Sequence, residues 1–308
     1  MKHAFLRNTF LLAALAPQAF AAPAPAPAQE RVITVPTLSM SSQDSQLIVA
    51  PREIRTAGPR GADELWFGNA RVTIPSAYFS VSTMELKFGS IEQTVRTTTR
   101  GKLADSQSDV RLASIEVFGQ RIEDVHLGVR FEKFDLAEMH KVEKDAAFMS
   151  NAFTSIEAFN AKRGNVLMAM ARSAVRHGSR VVLDDFSLNY KNFRARVTGH
   201  FGLRDASEKD LASIQQILKK VDGRIEISVP AGIPRAMCQA FVHTVPNIQG
   251  TGMERWQQQQ NCYQAAMTKV VGEGWARMED GVLRSTIIIS QGNLNVNGKS
   301  TKVNLSAD

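Results

Sequence analysis

The chain has 308 residues, of which 44% are hydrophobic and 22% are charged, and this ordinary globular composition excludes a chain that is disordered throughout. Lysine and arginine exceed aspartate and glutamate by seven charges. This basic excess suits a compartment bounded by anionic lipid, but a charge balance identifies no partner by itself, and we expect no nucleic-acid partner.

The first 21 residues have the features of a cleavable export signal. Lys2 and Arg7 supply positive charge, residues 10–16 (FLLAALA) are apolar, and residues 19–21 (AFA) match an A-x-A cleavage site. An uncleaved membrane anchor is the alternative, but a spanning helix needs about 20 apolar residues and this stretch is far shorter. We therefore predict cleavage before Ala22, a periplasmic location and no integral membrane span in the mature chain.

The next segments predict a spacer and then a β-rich region. Residues 22–30 (APAPAPAQE) alternate alanine and proline, which favours an extended spacer outside any packed core. Over residues 31–136 apolar and polar side chains alternate, as they do in β-strands. Pro75 interrupts one of these runs and indicates an edge strand, a bend or two strands in succession.

Residues 137–178 change to a helical pattern of apolar side chains. We predict one helix that ends at Arg163 and Gly164, and a second helix that Gly178 stops. The methionine and phenylalanine stripes of these helices could line a ligand channel, but at helical spacing they are more typical of a packed core.

Residues 179–308 are predicted to mix strands and helices. In chain order the predicted elements are a hairpin turning at Lys191-Asn192, a helix opened by Ser207 and Asp210, a strand over residues 223–230, helices over residues 234–243 and 253–271, and two final β segments. The last hairpin turns at Asn297-Gly298, because both central positions of a type I′ turn need positive φ. This register places Leu294 opposite Thr301. We expect Asn297 and Gly298 to serve backbone geometry rather than chemistry.

These elements predict an α+β fold, in which antiparallel, curved β-sheet segments carry helices packed on one face. Cys238 and Cys262 are the only two cysteines, and their spacing matches neither a zinc site nor a C-x-x-C redox motif. In an oxidising compartment two cysteines usually pair. We therefore predict a structural disulfide that joins two successive helices.

The sequence contains no motif of a serine hydrolase, a zinc protease or a nucleotide-binding loop. We accordingly predict no catalytic residue, no cofactor and no metal site, and we interpret the scattered histidines as ordinary surface or core residues. Asp184 and Asp185 could serve as a hydrolytic pair of carboxylates. Neighbours on a strand point to opposite faces, however, so we expect these two carboxylates not to share one site.

Arg194, Arg196 and His200 alternate along one predicted strand and form a basic stripe. Such a stripe could contact lipid phosphates or another anionic envelope polymer. The alternative is the solvated polar face of an antiparallel hairpin.

Three stretches resemble the YdgA-like family of bacterial envelope proteins, a domain of unknown function (DUF945). The stretches are residues 272–305 (GEGWARMEDGVLRSTIIISQGNLNVNGKSTKVNL), residues 181–190 (VVLDDFSLNY) and residues 122–140 (IEDVHLGVRFEKFDLAEMH). The resemblance covers residues 65–308 and departs at the front, where members of the family often keep a membrane anchor. The matching motifs are structural, so the resemblance carries no catalytic residue to this chain.

From these observations we expect an exported, non-enzymatic envelope protein. Its β-sheet would bind an amphipathic or lipidic ligand, or another envelope protein. The alternative is a hydrolase acting on envelope polymer. An apolar groove lined by strand residues would favour binding, and a concave pocket with convergent histidine and carboxylate groups would favour hydrolysis.

Overall fold

The computed structural model describes residues 31–41, 45–57, 68–82, 84–139, 141, 156–244 and 251–302. The predicted export signal and spacer lie outside these residues. Most of the described chain is antiparallel sheet and a smaller part is helical, which confirms the α+β class. None of the described helices has an apolar stretch long enough to cross a bilayer.

All strands of the described residues belong to one sheet. They are β1 (Arg31–Val35), β2 (Leu38–Ser41), β3 (Ser45–Val49), β4 (Arg52–Ala57), β5 (Gly68–Ile74), β6 (Ala77–Val81), β7 (Met84–Phe88), β8 (Ile91–Arg100), β9 (Leu103–Val117), β10 (Gln120–Asp135), β11 (Arg180–Tyr190), β12 (Phe193–Leu203), β13 (Val221–Pro230), β14 (Arg277–Glu279), β15 (Val282–Ser290), β16 (Asn293–Val296) and β17 (Lys299–Lys302).

Residues 136–139 and 141 are helical, and four further α-helices accompany these strands in the described residues. They are α1 (Ile156–His177), α2 (Ile214–Leu218), α3 (Gly232–Thr244) and α4 (Gly252–Met267). A 3₁₀ turn over Glu208–Ala212 precedes α2, and a π-helical turn over Thr268–Gly272 follows α4.

The first eight strands form four consecutive pairs, namely β1 with β2, β3 with β4, β5 with β6, and β7 with β8. In each pair a break of two residues divides what would otherwise be one long strand. The breaks fall at residues 36–37, 50–51, 75–76 and 89–90. One row of strands pairs in the order β1–β4–β5–β8 and the other in the order β2–β3–β6–β7, and both rows end on β9. Three of the four breaks contain proline, which has no N–H for a ladder hydrogen bond. Of the alternatives for Pro75, two strands in succession is therefore the observed one.

The main hydrophobic core joins these two rows. Its buried members are Val49, Ile54, Val72, Ile74, Ile91, Val110 and Leu112. Val49 comes from the second row and Ile54 from the first, so the aligned breaks let both rows face a common core. Each such side chain contributes about 1.5–3 kcal/mol by leaving water.

Beyond β9 the sheet continues as an antiparallel series in the order β9–β10–β11–β12–β13–β15–β16–β17. The hairpin predicted at Lys191-Asn192 is confirmed, with φ of 48° and 69° at the two turn residues. Most partners in this part of the sheet are consecutive strands along the chain, and the pairing of Asp222 with Ser290 is among the longest in range.

The closing hairpin has the predicted register, with Leu294 opposite Thr301. Asn297 has a second role besides tolerating the positive φ of the turn, because its side chain makes three hydrogen bonds. Its oxygen accepts a hydrogen bond from the Thr286 N–H at 2.8 Å, and its nitrogen donates to the carbonyls of Gly274 and Trp275 at 3.1 and 3.0 Å. Asn297 therefore fastens the hairpin to the segment that precedes β14.

Helix α1 corrects the prediction of two helices separated at Arg163 and Gly164. The structure has a single helix that runs through Gly164. Glycine inside a helix costs only about 1 kcal/mol relative to alanine, and tertiary contacts outweigh this cost. In the second half of α1 the buried Ser173 accepts a hydrogen bond from the Asp135 N–H at 2.7 Å and bonds the Ser179 hydroxyl.

The helix predicted from Ser207 is also wrong in its extent. The chain instead forms the short 3₁₀ turn and then α2, because Ser213 between them has extended backbone and caps α2 by accepting from the Gln216 N–H. The predicted link between Ser207 and Asp210 is present, since the Ser207 N–H donates to the Asp210 carboxylate at 2.7 Å.

Helices α3 and α4 have close to the predicted bounds and are joined by a disulfide between Cys238 and Cys262, as predicted. The two Cα atoms lie 5.8 Å apart, and the two cysteines are separated by 24 positions along the chain. Helix α3 also packs on the sheet, where Ile233 and Ala236 contact Leu188 and Tyr190.

Candidate functional site

One face of strands β8 to β12 carries polar and charged side chains, and we call it the polar face. The strand register places Arg96, Gln107, Arg130, Asp185 and Arg196 on this face, one from each strand. The opposite face of β11 carries Leu188 and Tyr190, which pack against α3, because side chains alternate along a strand.

A β-bulge interrupts this alternation in β11. Leu183 pairs with Gly199 and Phe186 with Val197 in β12, so two residues on β11 oppose a single one between those pairs. Asp184 and Asp185 therefore lie on the same face, and our expectation of opposite faces is wrong. They nevertheless have separate partners: Arg130 makes two hydrogen bonds to Asp184, at 2.7 and 2.8 Å.

Asp185 is the centre of a hydrogen-bond network on the polar face. Its carboxylate accepts from Arg196 Nε at 2.7 Å, from His126 Nδ1 and Ser187 Oγ at 2.9 Å, and from Arg194 at 3.5 Å. Partial burial raises the pKa of this carboxyl group, but the hydrogen bonds from His126, Ser187 and Arg196 outweigh burial and lower the pKa to about 2. Asp185 is therefore ionised at neutral pH.

The predicted basic stripe lies on the polar face, but much of its charge is already balanced. Arg194 and Arg196 are more than half exposed, and both form ion pairs with Asp185. His200 lies further along β12, opposite Arg224, and its side chain makes no hydrogen bond to another described residue. The structure thus joins the two arginines in one network and leaves His200 outside it.

The first of two clefts on the polar face, which we call the histidine cleft, has a volume of about 440 Å³. Its lining includes Glu92, Arg111, Asp124, His126 and Arg194. His126 lies between two carboxylates, since Nε2 is 3.2 Å from Asp109 and Nδ1 is 2.9 Å from Asp185.

Sequence reasoning missed this arrangement of His126. The two carboxylates are 17 and 59 residues away along the chain, so no local spacing signals it. Because a carboxylate oxygen only accepts hydrogen bonds, both bonds form together only when both ring nitrogens carry hydrogens. Ser187 is buried and donates to Asp185 rather than to His126, so these groups do not form a nucleophile–base pair as they stand.

The second cleft, which we call the arginine cleft, has a volume of about 540 Å³ and lies at the ends of β8, β9 and β10. Its charged lining residues are Arg96, Arg100, Asp105, Arg130, Glu132 and Lys133. Thr98 and Gln107 add neutral hydrogen-bonding groups. Among the described residues no group of three or more His, Cys, Asp and Glu side chains is arranged to hold a metal ion.

Comparisons with curated proteins and with solved structures found no match. The resemblance stated above starts at residue 65, and a family match extends it towards the N-terminus. The model of the family described as "Bacterial protein of unknown function (DUF945)" matches residues 31–304, and the chain therefore belongs to this family.

Proposed function

We propose that this chain is an exported, non-enzymatic periplasmic protein of the cell envelope, whose β-sheet binds an amphipathic or lipidic ligand or another envelope protein. The observation that carries the proposal is the pair of clefts on the polar face, both lined by side chains of adjacent strands. Their lining is mainly charged and polar rather than the apolar groove expected above, so the clefts suit the polar headgroup of an amphipathic ligand. Ligand sites are typically concave and combine a few directed polar groups with a rigid scaffold, and strands β8 to β12 supply both.

The helices would lie together on the face opposite the polar face, which leaves the polar face for the ligand. Helix α3 supports this arrangement, because Ile233 and Ala236 contact Leu188 and Tyr190, and these two residues are on the opposite side of β11 from Asp185. Helix α1 also contacts β10 and β12.

Export is supported by the first 21 residues and by the disulfide. The positive, apolar and A-x-A segments follow the order of a secretory signal. A disulfide between Cys238 and Cys262 persists in an oxidising compartment, as the periplasm is.

Native mass spectrometry of the chain purified from the periplasm tests this proposal. We expect a species heavier than the mature chain, whose extra mass is released as lipid or as a partner protein under denaturing conditions. A mass equal to that of the mature chain alone, after purification in mild detergent-free buffer, would contradict a bound ligand or stable partner.

The hydrolase alternative has one observation in its favour, which is His126 beside two carboxylates in the histidine cleft. A histidine oriented by a carboxylate is the usual general base of hydrolytic sites. The substitution His126→Gln distinguishes the two functions, with His200→Gln as the control on the same face. Hydrolysis of purified envelope polymer that requires His126 and not His200 would support the alternative, whereas ligand binding that survives both substitutions supports the binding function.

A further inference from the structure

The two carboxylates of the arginine cleft, Asp105 and Glu132, already accept hydrogen bonds from other groups of the protein. Asp105 accepts a hydrogen bond from the Lys133 backbone N–H at 2.8 Å and lies 3.6 Å from Arg100. Glu132 accepts from Arg130 at 2.9 Å and from Arg180. These acidic groups are therefore engaged by donors of the protein and leave the other cationic groups of the cleft uncompensated.

Two cationic side chains of the cleft have no ion-pair partner among the described residues, namely the Arg96 guanidinium and the Lys133 ammonium group. Arg96 is exposed on β8, opposite Gln107 of β9. Arg100 adds a third positive charge, since its side chain is 83% exposed and its ion pair with Asp105 is long. The cleft therefore presents an excess of positive charge to a ligand.

The backbone at Lys133 is unusual for a lysine. Its φ is 59°, and it falls where β10 shifts its register against β9 between Phe131 and Phe134. A non-glycine residue with positive φ is uncommon, and bulges often redirect a side chain next to a binding site. This bulge places a lysine on the rim of the cleft, across from the arginines of β8.

We propose that the arginine cleft binds the phosphoryl group of a ligand. In this arrangement the Arg96 guanidinium donates two N–H hydrogen bonds to two phosphoryl oxygens. The Lys133 ammonium group supplies a compact positive charge from the other side of the cleft. A phosphoryl group carries up to two negative charges and suits several cations at once. This inference rests on the proposed function, because it names the chemistry of the ligand that the sheet binds. The phosphoryl group can belong to a lipid headgroup or to a soluble phosphate compound.

Binding measurements on the purified mature chain test the inference. The probes are inorganic pyrophosphate, followed by calorimetry, and vesicles of phosphatidylcholine with or without phosphatidylglycerol, followed by sedimentation. The variants are Arg96→Gln and Lys133→Asn, the latter because asparagine tolerates positive φ. Arg71→Gln is the matched control, since Arg71 is an exposed arginine of β5 that pairs with Glu92 and lies outside the cleft.

We expect each cleft variant to weaken binding of a phosphate-bearing probe about tenfold, the usual effect of losing a hydrogen bond to a charged group. The control should stay within about twofold of the unchanged chain, and added salt should weaken binding in all cases. Binding of pyrophosphate that follows this pattern assigns the site to soluble phosphate compounds. Binding confined to vesicles with phosphatidylglycerol, with the same pattern, assigns it to a lipid headgroup.

Two other results would overturn the inference. Equal binding to both kinds of vesicle, unaffected by the cleft variants, would refute a phosphoryl site and leave lipid binding by the sheet intact. Absence of binding to every probe, together with the bare chain mass in native mass spectrometry, would refute the proposed function as well. Equal urea midpoints for the variants and the unchanged chain show that folding is preserved, and Lys133→Asn alone is sufficient if Arg96→Gln is unstable.

Discussion

Asp185→Asn should destabilise the protein by about 2 kcal/mol at neutral pH. Asparagine has nearly the shape of aspartate but no negative charge, so the substitution removes the ionised acceptor that His126, Ser187 and Arg196 hydrogen-bond. The carboxyl group has a pKa of about 2 in the folded protein against 3.8 as its ordinary value. A difference of this size corresponds to about 2.4 kcal/mol in favour of the ionised form in the folded state.

The pH dependence of this loss follows from the direction of the shift. A lowered pKa stabilises the fold fully well above pH 3.8, and this contribution disappears as the pH falls through about 2. The difference in unfolding free energy between the unchanged chain and Asp185→Asn should therefore fall to about 1.3 kcal/mol at pH 3. Urea denaturation at pH 7 and pH 3 measures both values.

Asp184→Asn is the matched control, because it removes the neighbouring carboxylate of the same bulge. The Asp184 side chain is 36% exposed, against 14% for Asp185, and exposed ion pairs contribute no more than about 1 kcal/mol. Equal losses for the two variants, or a loss for Asp185→Asn that does not change between pH 7 and pH 3, would refute the central role of Asp185.

Three further predictions concern other parts of the chain. Asn297→Ala should cost about 2–3 kcal/mol in urea denaturation, because it removes three hydrogen bonds at a residue with positive φ, whereas Asn293→Ala should cost under about 0.5 kcal/mol. Cys238→Ser should lower the unfolding free energy by about 3.5 kcal/mol on the loop-entropy estimate, and two free thiols in unreduced protein would contradict the bond. N-terminal sequencing of periplasmic protein should begin at Ala22, and a sequence that starts with the initiator methionine would overturn the predicted export.

Local turn chemistry made parts of this fold predictable. Asn297-Gly298 determined the register of the last hairpin, since these residues accept the positive φ of its turn. The two cysteines were predicted to pair because two cysteines in an oxidising compartment usually do, and their spacing fits no zinc or redox motif. The turn is predictable from two neighbouring residues, and the disulfide is predictable because cysteine is rare in this chain.

The network at Asp185 could not be predicted in the same way, because it depends on contacts between strands. The extra residue of β11 is visible only once its pairs with β10 and β12 are known, and it reverses the side that Asp184 faces. His126 likewise meets its carboxylates only across strands. Helix α1 passes through Gly164 because contacts elsewhere in the fold outweigh a local preference.

The limited sequence distance between paired strands affects how early each strand can pair while the chain is being synthesised or exported. Each described pairing joins segments that are less than about 70 residues apart, so little of the chain must emerge before a given strand can find its partner. A ribosome or an export channel delivers the N-terminus first, and within the described part of the chain strands β1 to β12 pair only among themselves and with β13. A chain halted before Val221 would contain both partners of every pairing among β1 to β12. The edge of β12 that pairs with β13 in the complete fold would then be unpaired.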